Sequence, residues 1–589
     1  MTIDGLLTFL ALLIAVYTIM SRAQRLNLSL KIRIWHWAAI ILLLLAVHVL
    51  ELPKIVAALP RVPPVADWVL EPKEAAYLLL LAGALCLGVL IHFSPLPRSR
   101  VRRLGQLIDE LTVNGQTVEV LALLQTHLDR LVRIYKGDFL LPRLRARLVS
   151  RDRFNRGPDL ERLAEQLLQL APGEPLRPPR RTLIERAKHV IGSIPSRLGE
   201  LLPSAETQQE AVGVMLRSTL LRPECVQAIA KSQAHFGLRV LAMDAQERFH
   251  FSDEFLRALM LDTSSILYWE IRNNQNYARG HRYNLPEGNR LLRYLFADAK
   301  NAEALGVWEP VGEAVIAELD RRHRSETDRY NDSLMDYRDR YQWKCPVFVG
   351  IRFFDIMVSE AIAQNICWHM WLYYYPHFVD GICRNYAPDE QRVELDDEFP
   401  TVYSFLLYEI VSTLRHWIAE VRDLPPDQEN IVLEDDALTH ENGNIIKSSI
   451  LVLGMCLKTI LVTERIPPRL KSYLASIGLD LFLDFVRVPK LASYAGVLRA
   501  SLLAGGFDHR DTESAAYTGN LIAAVVRNDN VPHRHGDVTA LLDDLLQQFA
   551  ESAELDSLAQ YVDVQHIGDH EVSVAGGHGG RRYTMARRA

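Results

Sequence analysis

The sequence predicts an all-α protein: three N-terminal transmembrane helices followed by a large multi-helical cytoplasmic region. Three observations carry that expectation. Apolar stretches of near-span length crowd the first ninety-odd residues, apolar positions beyond them recur at helical spacing, and convincing period-two runs of β-branched residues are missing.

The anchor comes first in the chain. Leu6–Met20, Ile34–Leu50 and Ala75–Phe93 are the three expected spans, at about 6–20, 34–50 and 75–93. At roughly 1.5 Å of rise per residue, a seventeen-residue helix reaches about 25 Å, a little short of the ~30 Å hydrocarbon core, and the third segment nearly matches it. Trp35 and Trp37 open the second stretch and Tyr17 nears the end of the first, where amphipathic rings favour the headgroup region. His36 and His48, close to the ends of the second stretch, read as tolerated polar residues within reach of interfacial water.

Arginine and lysine counts set the orientation. Only Asp4 precedes the first stretch, whereas Arg22, Arg25, Lys31 and Arg33 lie between the first and second. Between the second and third, Lys54, Arg61 and Lys73 are mixed with Glu51, Asp67 and Glu71, and Arg98, Arg100, Arg102 and Arg103 follow the third. The expected arrangement has the N-terminus outside and everything after Phe93 in the cytoplasm of a bacterium, at its inner (plasma) membrane. A cleavable signal peptide fits poorly, because the charge lies on the wrong side of the first stretch and no small-x-small site follows Met20. The basic run after Phe93 should sit against anionic headgroups, at about 1 kcal/mol per residue close to the surface.

Beyond residues 1–95, the expected order is a juxtamembrane helical unit over 96–170, a Pro-rich linker over 171–182, an all-α body over 183–563 and a flexible tail over 564–589. In the juxtamembrane unit Leu121, Leu124, Leu128, Leu131 and Tyr135 draw one apolar stripe. Proline at the density of Ala171–Arg181 cannot continue a helix and stiffens a linker. Within the body, Pro346–Tyr375 is the most apolar segment and reads as a central core helix, and a fourth span over 361–379 is compromised by Gln364, Asn365, Pro376 and the histidines 369 and 377. Glu318–Tyr341 alternates charge in the manner of an exposed helix, with partner docking as the sharper alternative. Val538, Leu541, Leu542, Leu545 and Phe549 repeat the amphipathic pattern, and the glycine-rich end reads as frayed.

The 589 residues are 49% apolar with a formal charge of −6, a balance that argues against a cytoplasmic part built to hold nucleic acid electrostatically. The six cysteines form no Cys-x-x-Cys pair, so neither a zinc site nor a disulfide framework is expected, and no cofactor is. Phosphate-loop, His-Glu-x-x-His, Gly-x-Ser-x-Gly and dinucleotide-binding motifs are all missing, which lowers the standing of ATPase, zinc peptidase, serine hydrolase and Rossmann oxidoreductase classes. Spans with hardly any internal charge also argue against a transporter.

Two constellations carry possible chemistry. Tyr268–Arg282 is dense in amides, guanidiniums and imidazole, and Arg272, Asn273, Asn274, Arg279 and His281 are candidate ligand-binding residues, with arginines to pair oxyanions and asparagines to supply paired donors and acceptors. The second is Arg527-Asn528-Asp529-Asn530-Val531-Pro532-His533. An arginine followed by a polar residue, with a histidine about a turn later, resembles the motif of HEPN-type RNases. That resemblance implies His533 as general acid or base and Arg527 as stabiliser of the phosphorane, with RNA as partner. The primary functional expectation is a membrane-tethered scaffold or sensor binding a protein or small-molecule partner. Its partners are the lipid bilayer and a protein partner or a second copy of itself, with the RNase and an oligomeric membrane-disrupting effector as alternatives.

Overall fold

The computed structural model describes residues 11, 14–50, 72–136, 206–243, 247–274, 283–325, 328–334, 337–366, 368, 371–389, 391, 393–394, 397–424, 444–506, 514–527, 536–568, 571–575 and 582–586. These are mostly helical, and they fall into two compact units, 1–229 with 243–248 and 230–242 with 249–589.

The first unit holds α1 (Arg22–Lys31), α2 (Ile34–Leu50), α3 (Pro72–Phe93), α4 (Val101–Val113), α5 (Thr117–Tyr135) and α6 (Glu206–Leu220). A reciprocal capping box starts α1: the Ser21 hydroxyl accepts from the Gln24 amide, and the Gln24 side chain accepts from the Ser21 amide. Ile32 is extended, so α1 and α2 meet at 90°. His36, within the second expected span, is fully buried and its Nδ1 accepts from the Arg33 amide at 2.9 Å, capping the first turn of α2. The helices α2 and α3 then pack along Leu43 and Val47 against Ala76 and Leu80. Gly83 continues that face of α3, and a Cβ there would stand 2.5 Å from Leu43. The small residues Ala76 and Gly83, two turns apart, thus admit the close approach that helices in lipid need, where no hydrophobic drive exists between them.

Two single helices among the described residues, Glu74–Phe93 and Ile445–Val462, are long and apolar enough to cross a membrane, and α1 with α2 qualifies only as a bent pair. Only 17% of the Glu74–Phe93 window is buried against 78% of the Ile445–Val462 window. The former turns Leu81, Leu85 and Phe93 outward. Of the first expected span only residue 11 and 14–20 are described, so three separate spans are not all present in the described chain.

In α4, Val101, Leu104, Ile108 and Leu111 are buried, and in α5 Leu121, Leu124, Leu128 and Leu131 are, as their spacing requires. Gly115 joins the two helices at φ +69, the left-handed conformation that glycine adopts without a steric penalty. The helix α6 packs on both α4 and α5, with Gly213 admitting the Tyr135 ring. The division between the units therefore falls near residue 230, beyond the expected linker 171–182, which lies outside the described residues.

The second unit is built on α7 (Ile266–Asn273), α8 (Arg290–Phe296), α9 (Trp308–His323), α10 (Pro346–Ala363), α11 (Tyr374–Asn385), α12 (Val402–Ala419), α13 (Ile445–Val462), α14 (Pro468–Val486), α15 (Ala492–Ala504), α16 (Ser514–Arg527) and α17 (Gly536–Ser552), with shorter helices between them. At its centre α13 touches α11, α12, α14, α15 and α16, which explains why a helix apolar all round lies in this core. The helix α10 is buried on nearly every side as well. Its polar stripe is put to use: Asp355 accepts from the Tyr283 hydroxyl and from Trp417 Nε1 at 3.2 Å, and pairs with Arg352 at 2.9 Å, tying α10 to α12. A continuous span over 361–379 is ruled out. The helix α10 ends at Ala363, Asn365 and Trp371 have positive φ, and α11 begins only at Tyr374.

The C-terminal expectation needs correction. Where a frayed tail was expected, β1 (Asp563–Gly568), β2 (Glu571–Ala575) and β3 (Arg582–Ala586) form an antiparallel sheet in the order β1-β2-β3. Val572 and Val574, two apart on one face, are buried, and β2 touches α16.

Candidate functional site

The most developed polar site in the second unit gathers around the C-terminal end of α9. Arg322 lies one turn beyond Glu318 and donates to its carboxylate at 2.8 Å, while its other arm reaches Asp328 at 2.9 Å. Its guanidinium sits 3.3 Å from the centroid of the Tyr330 ring. Asp328 also accepts from the Tyr330 amide at 3.1 Å and from the Tyr403 hydroxyl of α12. The Tyr330 hydroxyl in turn donates to Cys345 Sγ at 2.8 Å. Burial alone would lower the Arg322 pKa, but Tyr330, Asp328 and Glu318 overcome it and hold the guanidinium above the usual arginine range. Burial raises the hydroxyls of Tyr330 and Tyr403 and the thiol of Cys345, so all three keep their protons at neutral pH.

Helix α11 is seated against α9 by a small residue, Gly381, where a Cβ would lie 2.9 Å from Leu319. That approach brings Asn385 into a hub. Its amide donates to the Leu319 carbonyl at 2.8 Å, its side-chain oxygen lies 2.8 Å from His323 Nδ1, and its backbone carbonyl accepts from Asn331 at 2.9 Å. Asn331 also accepts from the Ala387 amide at 2.8 Å. The segments 328–332 and 385–389 are thereby locked side by side.

Between them lies an open cavity of about 590 Å³, with Arg322 and Asp328 among its lining residues. Arg384 at its side pairs with Asp320 and Asp380 at 3.4 and 3.1 Å. Arg329 and Arg465 also line it, both exposed and neither paired with a carboxylate among the described residues. Four arginines thus face Asp328, Asp332 and Asp389 across the cavity, and Asp328 is already committed to Arg322. Such a lining suits an oxyanion: guanidinium forks match phosphate and carboxylate oxygens, and the two free ones can turn to meet them. Among the described residues no group of three or more His, Cys, Asp or Glu side chains is arranged to hold a metal ion, and the five described cysteines are free thiols.

The residues singled out by sequence lie elsewhere. In α7, Arg272 and Asn273 are exposed, Asn274 is buried, and Arg279 and His281 lie outside the described residues. Their neighbourhood serves the fold. The buried Glu270 carboxylate accepts the Leu291 and Leu292 amides at 3.1 and 2.9 Å, capping α8 from another helix, and Asn289 donates to the Glu270 carbonyl at 2.9 Å. Asn273 reaches Asn289 at 3.4 Å. Arg527 is the last residue of α16 and donates to the Tyr561 carbonyl at 2.9 Å, ahead of β1. His533 lies outside the described residues, so the described structure does not show whether it meets Arg527 as the resemblance to HEPN-type RNases implies. Arg98 and Arg100 form a 3-10 turn after α3, and Arg102 and Arg103 are exposed on the first turn of α4.

Sequence reasoning passed over Arg329, Arg465, Asn331 and Asn385. They come from three stretches of chain, around 329–331, 385 and 465, and the one local signal, the charge density of Glu318–Tyr341, looks the same as a solvated helix face. Comparison with protein-family models, with curated proteins and with solved structures returned no match.

Proposed function

We propose that this chain is a membrane-tethered sensor or scaffold at the inner face of a bacterial plasma membrane, whose helical body binds a small anionic molecule at the cavity bordered by Arg329 and Arg465. The observation that carries the reading is that pair of guanidiniums, held without carboxylate partners over a base already neutralised by the Arg322–Asp328 pair. A folded chain gains nothing from gathering cations at one opening, whereas a multiply charged anion gains a charge-assisted bond from each.

The tether is supported by the outward leucines of α3 and by its packing on α2 through Ala76 and Gly83. The orientation is supported by charge. Lys31 donates to the His92 carbonyl at 2.6 Å and Arg33 to the Pro95 carbonyl at 3.1 Å, so the basic residues before α2 and those after α3 share one end of the hairpin.

Titration calorimetry of the full chain in detergent with pyrophosphate and with citrate tests the reading. Saturable binding of at least one anion is expected, weakened about tenfold or more by Arg329→Gln with Arg465→Gln, because each removes a charge-assisted bond. Binding that the double variant leaves unchanged, or no binding of either anion, refutes it.

A further inference from the structure

The cavity between segments 328–332 and 385–389 also offers hydrogen-bond acceptors. His323, the last residue of α9, lines it, and its two ring nitrogens are told apart by one neighbour. The Asn385 side-chain nitrogen donates to the Leu319 carbonyl at 2.8 Å, so the atom 2.8 Å from His323 Nδ1 is the amide oxygen, which can only accept. Nδ1 therefore carries the proton. In the neutral imidazole the other nitrogen, Nε2, is left with its lone pair, and it has no hydrogen-bond partner among the described residues.

Asp332 is the second acceptor. It follows the turn Arg329–Asn331, its amide donating to the Arg329 carbonyl at 3.2 Å, and its exposed carboxylate is paired with no cation among the described residues. Asp328 differs, since Arg322 and the Tyr403 hydroxyl already occupy it. The lining thus divides by chemistry: the guanidiniums of Arg329 and Arg465 give hydrogen bonds and positive charge, while His323 Nε2 and the Asp332 carboxylate only accept. A bare oxyanion satisfies the first pair, has nothing to give the imidazole and is repelled by the carboxylate. At about 590 Å³ the cavity is in the range of small-molecule sites and leaves room for more than one phosphate group.

We propose that the cavity takes a hydroxylated oxyanion, a hydroxy acid or the phosphate ester of a polyol, with Arg329 and Arg465 on the oxyanion and with His323 Nε2 and Asp332 accepting from its hydroxyls. Asn385 is the positioning residue, since it fixes which ring nitrogen is free to accept. The assignment rests on the anion reading above and deepens it from charge alone to a pattern of donors and acceptors. Carboxylate and phosphate ligands share that pattern, and matched pairs of each separate them.

Titration calorimetry of the full chain in detergent at pH 8 tests it with two pairs of probes that differ only in hydroxyls: citrate against tricarballylate, and glycerol 3-phosphate against propyl phosphate. The hydroxylated member of at least one pair is expected to bind about tenfold or more tightly, because without the hydroxyl the acceptors stay unpaired. His323→Phe should bring that ratio near one while the affinity for the unhydroxylated probe stays within about twofold. Equal binding within both pairs by wild type, or a ratio that His323→Phe leaves unchanged, overturns the proposal. Circular dichroism checks folding. Should His323→Phe unfold the chain, the exposed Asp332→Ala is expected to lower the ratio several-fold, and an unchanged ratio there overturns the assignment. Arg329→Gln with Arg465→Gln separates the two levels of failure. Binding that this double variant loses, with equal affinities within each pair in wild type, sinks only the hydroxyl pattern. No binding of any probe, or binding indifferent to the double variant, sinks the anion reading with it.

Discussion

Replacing Asp328 should cost more stability than any other single polar change around the cavity, and the size of the cost can be worked from its partners. The carboxylate accepts three donors: Arg322 at 2.9 Å, the Tyr330 amide at 3.1 Å and the Tyr403 hydroxyl. Its side chain is 9% exposed and that of Arg322 17%. Asp328→Ala leaves an amide and a hydroxyl without their acceptor, at about 1–3 kcal/mol each, while Arg322 keeps Glu318 and is not orphaned. The sum, tempered by water entering the open cavity, is about 3–5 kcal/mol, the range found when one partner of a buried pair is removed. Asp328→Asn keeps one oxygen for Arg322 and the Tyr330 amide, and the Tyr403 hydroxyl can rotate to accept from the new amide, so the cost falls to about 1–2 kcal/mol. Tyr403→Phe should cost about 1 kcal/mol in wild type and close to nothing in the Asp328→Ala background. Urea unfolding of the full chain in detergent, followed by tryptophan fluorescence, measures wild type and the four variants. An alanine variant no less stable than the asparagine one, or additive effects of positions 328 and 403, would refute the reasoning.

Two further changes probe the core. In Gly454→Ala the new Cβ would meet Ser501 Oγ, the Gly506 amide nitrogen at 2.5 Å and the Ser501 carbonyl oxygen at 2.8 Å, backbone that cannot swing aside, so a loss of about 3 kcal/mol is expected. Gly478→Ala meets only leucine side-chain ends at 3.2 Å and beyond and should cost under about 1 kcal/mol; equal losses by thermal unfolding would show that the α13–α15 approach is looser than described. Burial, with Asp355 and Glu360 adding to it, pushes the Glu420 carboxyl up to about 9 from its usual 4.5. Between those values the folded chain holds a proton that the unfolded chain has shed, so stability falls as pH rises, by about 1.4 kcal/mol per pH unit at most. Glu420→Gln should flatten that slope and be the more stable protein at pH 8, and denaturant midpoints at pH 5, 6.5 and 8 that run parallel in both proteins would count against it.

What was legible in the sequence follows the range of the forces involved. Leu121, Leu124, Leu128 and Leu131 sit three and four apart, and burial at that period needs only the helix itself. Arg352, Asp355 and Ser359 step by three and four along α10 in the same way, but the Asp355 partners Trp417 and Tyr283 are invisible at that range, because they lie 62 and 72 residues away. Ile445–Val462 has the composition of a span and the surroundings of a core helix, a distinction that only its neighbours make. The C-terminal sheet escaped notice because the described inward alternation amounts to Val572 and Val574 in one five-residue strand.

The two arginine clusters also differ in how the chain announces them, and the difference bears on what each can do. Arg98, Arg100, Arg102 and Arg103 crowd into six residues, so the topological role expected of them is visible in sequence. At the cavity, Arg329 and Arg465 are separated by 136 residues and come together because α11 packs on both α9 and α13, the helices they follow. Around it the amide side chains of Asn331 and Asn385 do the positioning, and the described carboxylate pairs go to Arg322 and Arg384, not to Arg329 or Arg465. That division leaves the outer guanidiniums with charge to offer, which is what separates an anion site from an ion-pair network built for stability.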